Sequence, residues 1–107
     1  MSLAMAVNIA AANQVLVGSK EHNIRRATLD DLTSISAIEN STSAYPCSNQ
    51  QLYDCIENTY VLLDSTKALG FAVIVTVENQ AELHNIAIDP EQQSKGLGSQ
   101  FLTALVA

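Results

Sequence analysis

The segment Gln93–Ser99 contains the residue types and spacing in this chain that best fit a chemical task. It follows an apolar run typical of a strand and precedes an apolar run typical of a helix. The first turn of a helix has unpaired N–H groups and a partial positive charge, so a Gln-x-x-Gly-x-Gly turn there suits a diphosphate. Gly96 and Gly98 fit this use because a Cβ would block close approach of a phosphate and because glycine adopts a positive φ. The simpler alternative is an ordinary helix start that contains glycine.

Composition limits the partners that we expect for this chain. Of its 107 residues, 48% are hydrophobic and 15% charged, which is typical of one folded domain. The formal net charge of −6 argues against a nucleic-acid partner, because such a surface would be basic. No apolar run approaches the ~20 residues of a membrane span, and no basic segment typical of a secretory signal begins the chain. We therefore expect a cytoplasmic protein without membrane contact.

The two cysteines, Cys47 and Cys55, show neither metal-ligand spacing nor a Cys-x-x-Cys redox pattern. We expect them to be reduced, half-buried thiols, and a disulfide between them is the less favoured alternative. The sequence predicts no metal site.

Periodicity and turn residues place the elements that must position the glycine-containing segment. Runs rich in apolar and β-branched residues predict strands, and helical spacing after capping residues predicts helices. The last three strands are joined by short connections, which favours antiparallel neighbours. The predicted order is β-α-α-β-β-β-α, with strands over 23–27, 60–63, 69–77 and 81–88 and helices over 28–39, from 48 through about 56, and over 96–107.

Residues 1–22 form a separate arm whose structure the pattern does not decide. Leu3, Met5, Val7 and Ile9 alternate as on a strand, whereas Ala10–Ala12 would suit a helix. Both interpretations stay open.

Taken in this order, the residues resemble the GNAT family of N-acetyltransferases. Residues 23–32 look like the opening strand and helix start of that fold, and residues 85–90 look like the end of its fourth strand. Gln93–Gly98 fits its (Arg/Gln)-x-x-Gly-x-(Gly/Ala) acyl-CoA motif. Within the family, Ile38–Glu39, Ala44–Pro46 and residues 83–98 look most similar to the bacterial enzymes that acetylate the N-terminal alanine of a ribosomal protein.

The resemblance implies an α/β (α+β) fold with a mainly antiparallel sheet, and acetyl transfer from acetyl-CoA to a peptide or small-molecule amine, most simply a protein N-terminal α-amine. It also implies that the main chain around Gly96 and Gly98 holds the CoA pyrophosphate while strand residues run beside the pantetheine and thioester. Lys95 either adds a cation beside the phosphates or points to solvent. The implied cofactor-binding residues are Ile86, Ala87, Ile88, Gln93, Ser94, Lys95, Gly96, Leu97, Gly98 and Ser99.

Catalytic residues are less well defined by the resemblance. Some members use a carboxylate on the fourth strand as base, which makes Glu82 and His84 candidates, since alternation places them on one face. The favoured alternative is that Glu82 is a solvated residue at the strand end and that His84 lies at the surface or packs against a partner. Glu39, Tyr45 and Tyr53 correspond to the substrate-lining region, although covering the core is the favoured alternative for Tyr45. The family's usual base on a fifth strand and its tyrosine acid on a fourth helix have no counterpart in this chain.

The resemblance covers residues 23–107, which we interpret as the N-terminal two-thirds of a GNAT domain that is truncated. Without a fifth strand, the fourth presents an open edge, and unpaired edges recruit partners. A second copy could pair there to give a homodimer, or the arm could cover the edge. The alternative function is therefore an acyl-CoA-binding or assembly fragment without catalysis.

Overall fold

The computed structural model describes residues 3–5, 14–17, 20–93 and 96–105. Within these ranges, six strands form one antiparallel sheet in the order β1-β6-β5-β4-β3-β2. The strands are β1 (Leu3–Met5), β2 (Gln14–Val17), β3 (Lys20–Arg26), β4 (Thr59–Asp64), β5 (Lys67–Val77) and β6 (Gln80–Ile88). The helices are α1 (Leu32–Thr42), α2 (Asn49–Asp54) and α3 (Leu97–Leu105).

The predicted order β-α-α-β-β-β-α is confirmed from β3 onward, and the sheet is antiparallel as expected. The arm adds β1 and β2, so the strand interpretation holds at Leu3 and Met5. Val7, Ile9 and Ala10–Ala12 lie outside the described residues. Strand β3 begins at Lys20 rather than at Asn23, because its first residues pair with β2.

Helix α1 continues past the predicted end at Glu39 to Thr42. The apolar spacing stops near Glu39, but the hydroxyls of Ser41 and Thr42 donate to the carbonyls of Ala37 and Ile38, each at 2.8 Å. These bonds pair the two hydroxyls within the helix, and hydrophobic periodicity gives no sign of this last polar turn.

The two predicted capping boxes form: the first opens a 3-10 turn, Leu29–Asp31, that leads into α1, and the second opens α2. Before α1, the carboxylate of Asp31 accepts the N–H of Thr28 at 2.7 Å. Before α2, the hydroxyl of Ser48 accepts the N–H of Gln51 at 3.1 Å, and the side chain of Gln51 accepts the N–H of Ser48 at 2.7 Å. Each box satisfies donors that a helix start would otherwise leave unpaired.

The sheet is buried on both faces, and each face has its own apolar core. Phe101 and Leu105 of α3 pack with Leu62 of β4 on one face. Ile35 of α1 and Leu52 of α2 pack with the β4 residue Val61 on the other. Neighbouring residues of β4 enter opposite cores because side chains alternate along a strand.

A β-bulge divides β6 into two parts. Val73 of β5 pairs with Asn85 and Ile74 pairs with Leu83, so His84 is the extra residue. Beyond the bulge, Ala87 packs on the face of α1, and Ile86 and Ile88 pack on the face of α3. By alternation, Asn85 therefore shares the α1 face.

Strand β1 ends where this bulge begins. It pairs with Ala81–Leu83, in the register Leu3↔Leu83, Ala4↔Glu82 and Met5↔Ala81. Among the described strands, none pairs with the outer edge of Asn85–Ile88. That stretch of backbone borders the candidate site. None of the helices in the described ranges combines the length and apolar character needed to cross a bilayer.

Candidate functional site

A cavity of about 800 Å³ lies at the outer edge of β6, between the end of α1 and the start of α3. Because β6 lies between the two helical layers, its last residues form the floor of the space that those layers leave open. The lining residues are Glu39, Thr42 and Ser43 from α1 and its end, Asn85–Ile88 from β6, and Gln93, Gly96, Leu97, Gly98, Ser99 and Leu102 around the start of α3.

The start of α3 gives one end of the cavity an excess of N–H donors. Gln100 donates to the carbonyl of Gly96 at 3.1 Å, closing the first turn, so the N–H groups of residues 97–99 precede the first intrahelical bond. Gly96 turns the chain into the helix with φ +77°, a conformation that favours glycine. This end therefore offers the unpaired donors and partial positive charge that bind anions.

Two contacts hold that helix start against β6. The side-chain amide of Gln93 donates to the carbonyl of Ile88 at 3.1 Å, and buried Leu97 packs into the α3-side core. A Cβ built on Gly98 would lie 3.7 Å from Cγ1 of Ile88, which is an ordinary contact. The N–H groups of the first turn are thus placed directly beside the end of the strand.

The other end of the cavity contains a buried carboxylate. Glu39 is only 3% exposed. Its Oε2 accepts the N–H of Cys47 at 2.8 Å, and its Oε1 accepts Nδ2 of Asn85 at 3.2 Å. The carboxylate therefore joins the loop after α1 to β6. Both donors are neutral, and among the described residues Glu39 forms no salt bridge.

The two ends are separated along β6. From Asn85, which contacts Glu39, to Ile88, which contacts the start of α3, the strand extends about 10 Å at about 3.3 Å per residue. Between them lie apolar side chains and a backbone edge that no described strand occupies. The cavity thus has an anion-binding end, an apolar middle with free backbone groups, and a negatively charged end.

Comparison with known proteins assigns the family. The profile of the acetyltransferase (GNAT) family matches residues 22–107, which is most of the chain. The chain belongs to the GNAT family.

The curated relatives of this GNAT chain include the [ribosomal protein bS18]-alanine N-acetyltransferase of Salmonella typhimurium. It is 33% identical over 79 residues, which cover 71% of this chain and 53% of the relative. The Escherichia coli protein of the same name matches with the same identity and coverage. The chain therefore spans about half the length of the curated relatives it matches.

Solved structures agree with the GNAT fold. The ribosomal-protein-S18-alanine N-acetyltransferase from Escherichia coli superposes with a TM-score of 0.71 at 30% identity, over 77% of this chain and 55% of that one. N-acetylglutamate synthase from Neisseria gonorrhoeae, solved with coenzyme A and N-acetyl-glutamate, has a TM-score of 0.64 at 21% identity, over 77% of this chain and 21% of that one. At that identity the second likeness concerns the fold alone.

Most residues predicted from the GNAT motif lie together in the cavity. Ser94 and Lys95 lie outside the described residues, so their placement stays a prediction. Whether the others bind a cofactor is likewise a prediction that their common location supports. The predicted residues that line the cavity are Ile86, Ala87, Ile88, Gln93, Gly96, Leu97, Gly98 and Ser99.

The catalytic candidates Glu82 and His84 do not line this cavity. They share a face as predicted, and Nε2 of His84 lies 3.2 Å from Oε2 of Glu82, but both side chains are more than two-fifths exposed. Glu82 precedes the bulge and His84 forms it, whereas the strand residues that line the cavity follow the bulge. The structure therefore does not bring this pair to the site.

The tyrosines assigned to the substrate region also lie outside the lining. Tyr45 is 93% exposed, so the alternative that it covers the core is wrong, and Tyr53 is half exposed. Glu39, assigned to the same region, does line the cavity. A carboxylate four residues after Ile35, on the buried stripe of α1, is the sequence signal that sets it apart.

Sequence reasoning missed Thr42, Ser43, Asn85 and Leu102 as lining residues. Leu102 follows the glycine motif by one helical turn, which is the one signal that could have indicated it. Asn85 reaches the α1 side only because of the bulge, and a bulge leaves no mark in the alternating pattern.

Cys47 and Cys55 are free, half-buried thiols, as expected. Burial raises the pKa of the Cys47 thiol, and the nearby carboxylate of Glu39 raises it further. The thiolate is therefore disfavoured, and Cys47 is poorly suited to act as a nucleophile. In the part of the chain that the structure describes, no group of acidic, histidine and cysteine side chains is arranged to hold a metal ion.

Proposed function

We propose that this chain binds acetyl-CoA in the cavity beside β6 and forms the cofactor-binding part of an N-acetyltransferase. Acetyl-CoA is the co-substrate of the GNAT family. The observation that supports the assignment is the first turn of α3 placed beside the free edge of β6. Leu97–Ser99 would hold the pyrophosphate through backbone N–H groups, and Asn85–Ile88 would offer backbone groups to the amides of the pantetheine.

The acceptor that we propose is an amine, most simply the N-terminal α-amine of a protein. This finer assignment is supported by the relatives that are 33% identical, which are [ribosomal protein bS18]-alanine N-acetyltransferases. In the reaction, the neutral amine attacks the thioester carbonyl carbon, a C–N bond forms and the C–S bond breaks, and the nitrogen loses one proton while the thiolate takes one up. A backbone N–H directed at the carbonyl oxygen would stabilise the charge that develops there. A ribosomal-protein acceptor would be met in the cytoplasm, and that location is part of the proposal.

Calorimetry with CoA tests the cofactor site, and Ser99→Asp is the informative variant. Ser99 is exposed and lies in the first turn of α3. An aspartate there stabilises the helix by about 0.3–1 kcal/mol through the helix dipole, but it places a negative charge where the phosphates would bind. We expect at least tenfold weaker CoA binding without loss of thermal stability.

Thr103→Asp is the matched control, because it adds the same charge to an exposed position of α3 outside the cavity. Its CoA affinity should stay within twofold of the original chain. Absence of CoA binding by the original chain, or equal weakening by both variants, would contradict the proposed cofactor site.

A second candidate function is CoA binding without turnover. It is favoured by the position of Glu82 and His84, which lie outside the cavity and leave Glu39 as its one carboxylate among the described lining residues. The release of CoA thiol from acetyl-CoA in the presence of an alanine-starting peptide separates the two candidates. Turnover supports the enzyme, and CoA affinity without thiol release supports the binding module.

A further inference from the structure

The buried carboxylate of Glu39 has more acceptor capacity than its protein contacts use. A carboxylate accepts about four hydrogen bonds, and Glu39 receives one from the N–H of Cys47 and one from the side chain of Asn85. Glu39 is one of the residues that line the cavity. The remaining capacity is available to a donor that enters there.

The charge of Glu39 is also uncompensated within the described residues. Its two donors are a backbone amide and a side-chain amide, and the described ion pairs involve Arg25 with Asp31 and His84 with Glu82. Burying a carboxylate away from water is unfavourable unless it is paired or well hydrogen-bonded. An apolar residue at this position would leave the N–H of Cys47 without its acceptor, so the glutamate also has a structural role, but that role requires a hydrogen-bond acceptor and not a negative charge.

The position of Glu39 in the cavity matches that of an amine rather than that of a phosphate. The N–H groups at the start of α3 provide the anion-binding end beside Ile88, and Glu39 lies about 10 Å further along β6, beside Asn85. A cofactor held by its phosphates beside Ile88 and extended along the strand would direct its acyl group toward this carboxylate. A substrate group that approaches the acyl carbon from the Glu39 end of the cavity lies beside the carboxylate, which favours a positively charged group.

We propose that Glu39 binds the cationic amine of the acceptor substrate. The carboxylate accepts hydrogen bonds from the ammonium group, and Cys47 and Asn85 hold the carboxylate in place. Glu39 thereby selects acceptors with a primary, positively charged amine and places their nitrogen near the acyl group, and the bound ammonium gives up one proton to water before the neutral amine attacks. This inference rests on the proposed function, because it assumes that the acyl donor occupies the same cavity.

The test compares two peptides that differ only in the charged group. Ala-Ala-Ala-amide carries a free α-ammonium, and its N-acetylated form does not. Each is titrated into the full chain, with and without saturating CoA, while calorimetry measures affinity and NMR follows the N–H of Cys47 and the side-chain amide of Asn85. We expect at least tenfold tighter binding of the free-amine peptide, with shifts of both signals that the acetylated peptide does not cause.

Three variants separate charge from structure. Glu39→Gln keeps the shape and removes the charge, so the preference for the free amine should fall to less than twofold. Asn85→Ala removes one donor and keeps the charge, so a preference of at least fivefold should remain. Glu57→Gln removes the same charge from an exposed position outside the cavity and should leave the tenfold preference intact.

The possible outcomes are distinguishable. Equal affinity of the original chain for the two peptides overturns the role of Glu39, whatever the stability of the Glu39→Gln variant. Equal loss of the preference in Glu57→Gln overturns it as well, because the effect would then be one of net charge. Loss of CoA binding overturns the proposed function instead, and the titration without CoA still decides whether Glu39 recognises the amine.

Discussion

Gly70 of β5 lies so close to Ile88 of β6 that a Cβ on the glycine would be 2.6 Å from Cδ1 of Ile88. The same Cβ would be 2.7 Å from the backbone carbonyl oxygen of Ala87, which cannot move without shifting the strand. Ala87 and Ile88 both line the cavity. The absence of a side chain at Gly70 therefore sets the position of the cavity wall.

Gly70→Ala should both destabilise the protein and disturb the site. Forcing one extra methyl group into a packed core costs about 1–3 kcal/mol, and here the displaced atoms belong to the cavity wall. We expect a lower urea midpoint together with weaker CoA binding in calorimetry. Unchanged stability would show that β6 moves away from Gly70 at no cost.

Gly98→Ala should have the opposite combination of effects. Its Cβ would meet Ile88 at an ordinary 3.7 Å, and alanine is favoured over glycine within a helix by up to about 1 kcal/mol. Stability should therefore be equal or higher. Gly98 lines the cavity, so CoA affinity should fall at least tenfold if phosphates approach the backbone there. Unchanged CoA affinity would place the phosphates elsewhere.

Local signals in the sequence predicted most of the framework. The boxes at Thr28 and Ser48 mark helix starts through side chains close in sequence, and the apolar runs of β4, β5 and β6 mark strands because each is buried on one or both faces. The glycine motif indicated where α3 begins.

What the sequence did not reveal depends on contacts distant in the chain. The alternative that the arm covers the β6 edge is confirmed at Leu3–Met5, but its register against Ala81–Leu83 joins opposite ends of the sequence and has no local signal. The bulge at His84 changes which residues of β6 face α1 without altering the residue types. The partner of Glu39 was therefore not predictable, because Asn85 reaches it only after that change of face.

Asp31→Asn should lower stability at neutral pH and lose its effect in acid. The Arg25 guanidinium donates to Asp31 at 2.7 and 3.0 Å. That bond, helped by the N–H of Thr28, lowers the pKa of Asp31 below its ordinary value. The stabilisation is thus fully present above the unfolded-state pKa of about 3.9 and disappears as the pH falls through the lower folded-state pKa. The loss at pH 7 should be about 1–2 kcal/mol.

Urea unfolding at pH 7, 4 and 2.5 measures this linkage. The difference between the original chain and Asp31→Asn should shrink as the pH falls below about 4. Asp30→Asn is the control, since Asp30 is exposed next to the same helix start, and it should leave the profile unchanged. A constant difference across the pH range would contradict the assigned role of the ionised carboxylate.

Cys47 should react slowly with alkylating reagents in the native protein. Burial raises the pKa of its thiol, with a further contribution from Glu39, and alkylation proceeds through the thiolate. We expect iodoacetamide at pH 8 to modify Cys47 at least tenfold more slowly in buffer than in concentrated urea, as followed by mass spectrometry. Glu39→Gln should accelerate the native reaction, and equal rates in buffer and urea would contradict the burial of this thiol.

A variant lacking residues 1–5 should self-associate. In the intact chain, β1 pairs with Ala81–Leu83 on the outer edge of β6, and an exposed strand edge recruits another strand. We expect light scattering after gel filtration to show a dimer that grows with protein concentration, together with a lower urea midpoint. Removing residues 1–2 alone leaves β1 in place and should not change the mass.

The same variant tests whether the two parts of the β6 edge act independently. The edge of Asn85–Ile88 lies beyond β1 and borders the cavity. At a protein concentration low enough to keep the shortened variant monomeric, its CoA affinity should therefore differ less than twofold from that of the intact chain. A homodimer of the intact chain through the β6 edge stays a prediction, and pairing at Ala81–Leu83 would have to displace β1. Equal masses for both shortened variants would show that β1 does not protect the edge, and a large loss of CoA affinity would show that β1 supports the cavity.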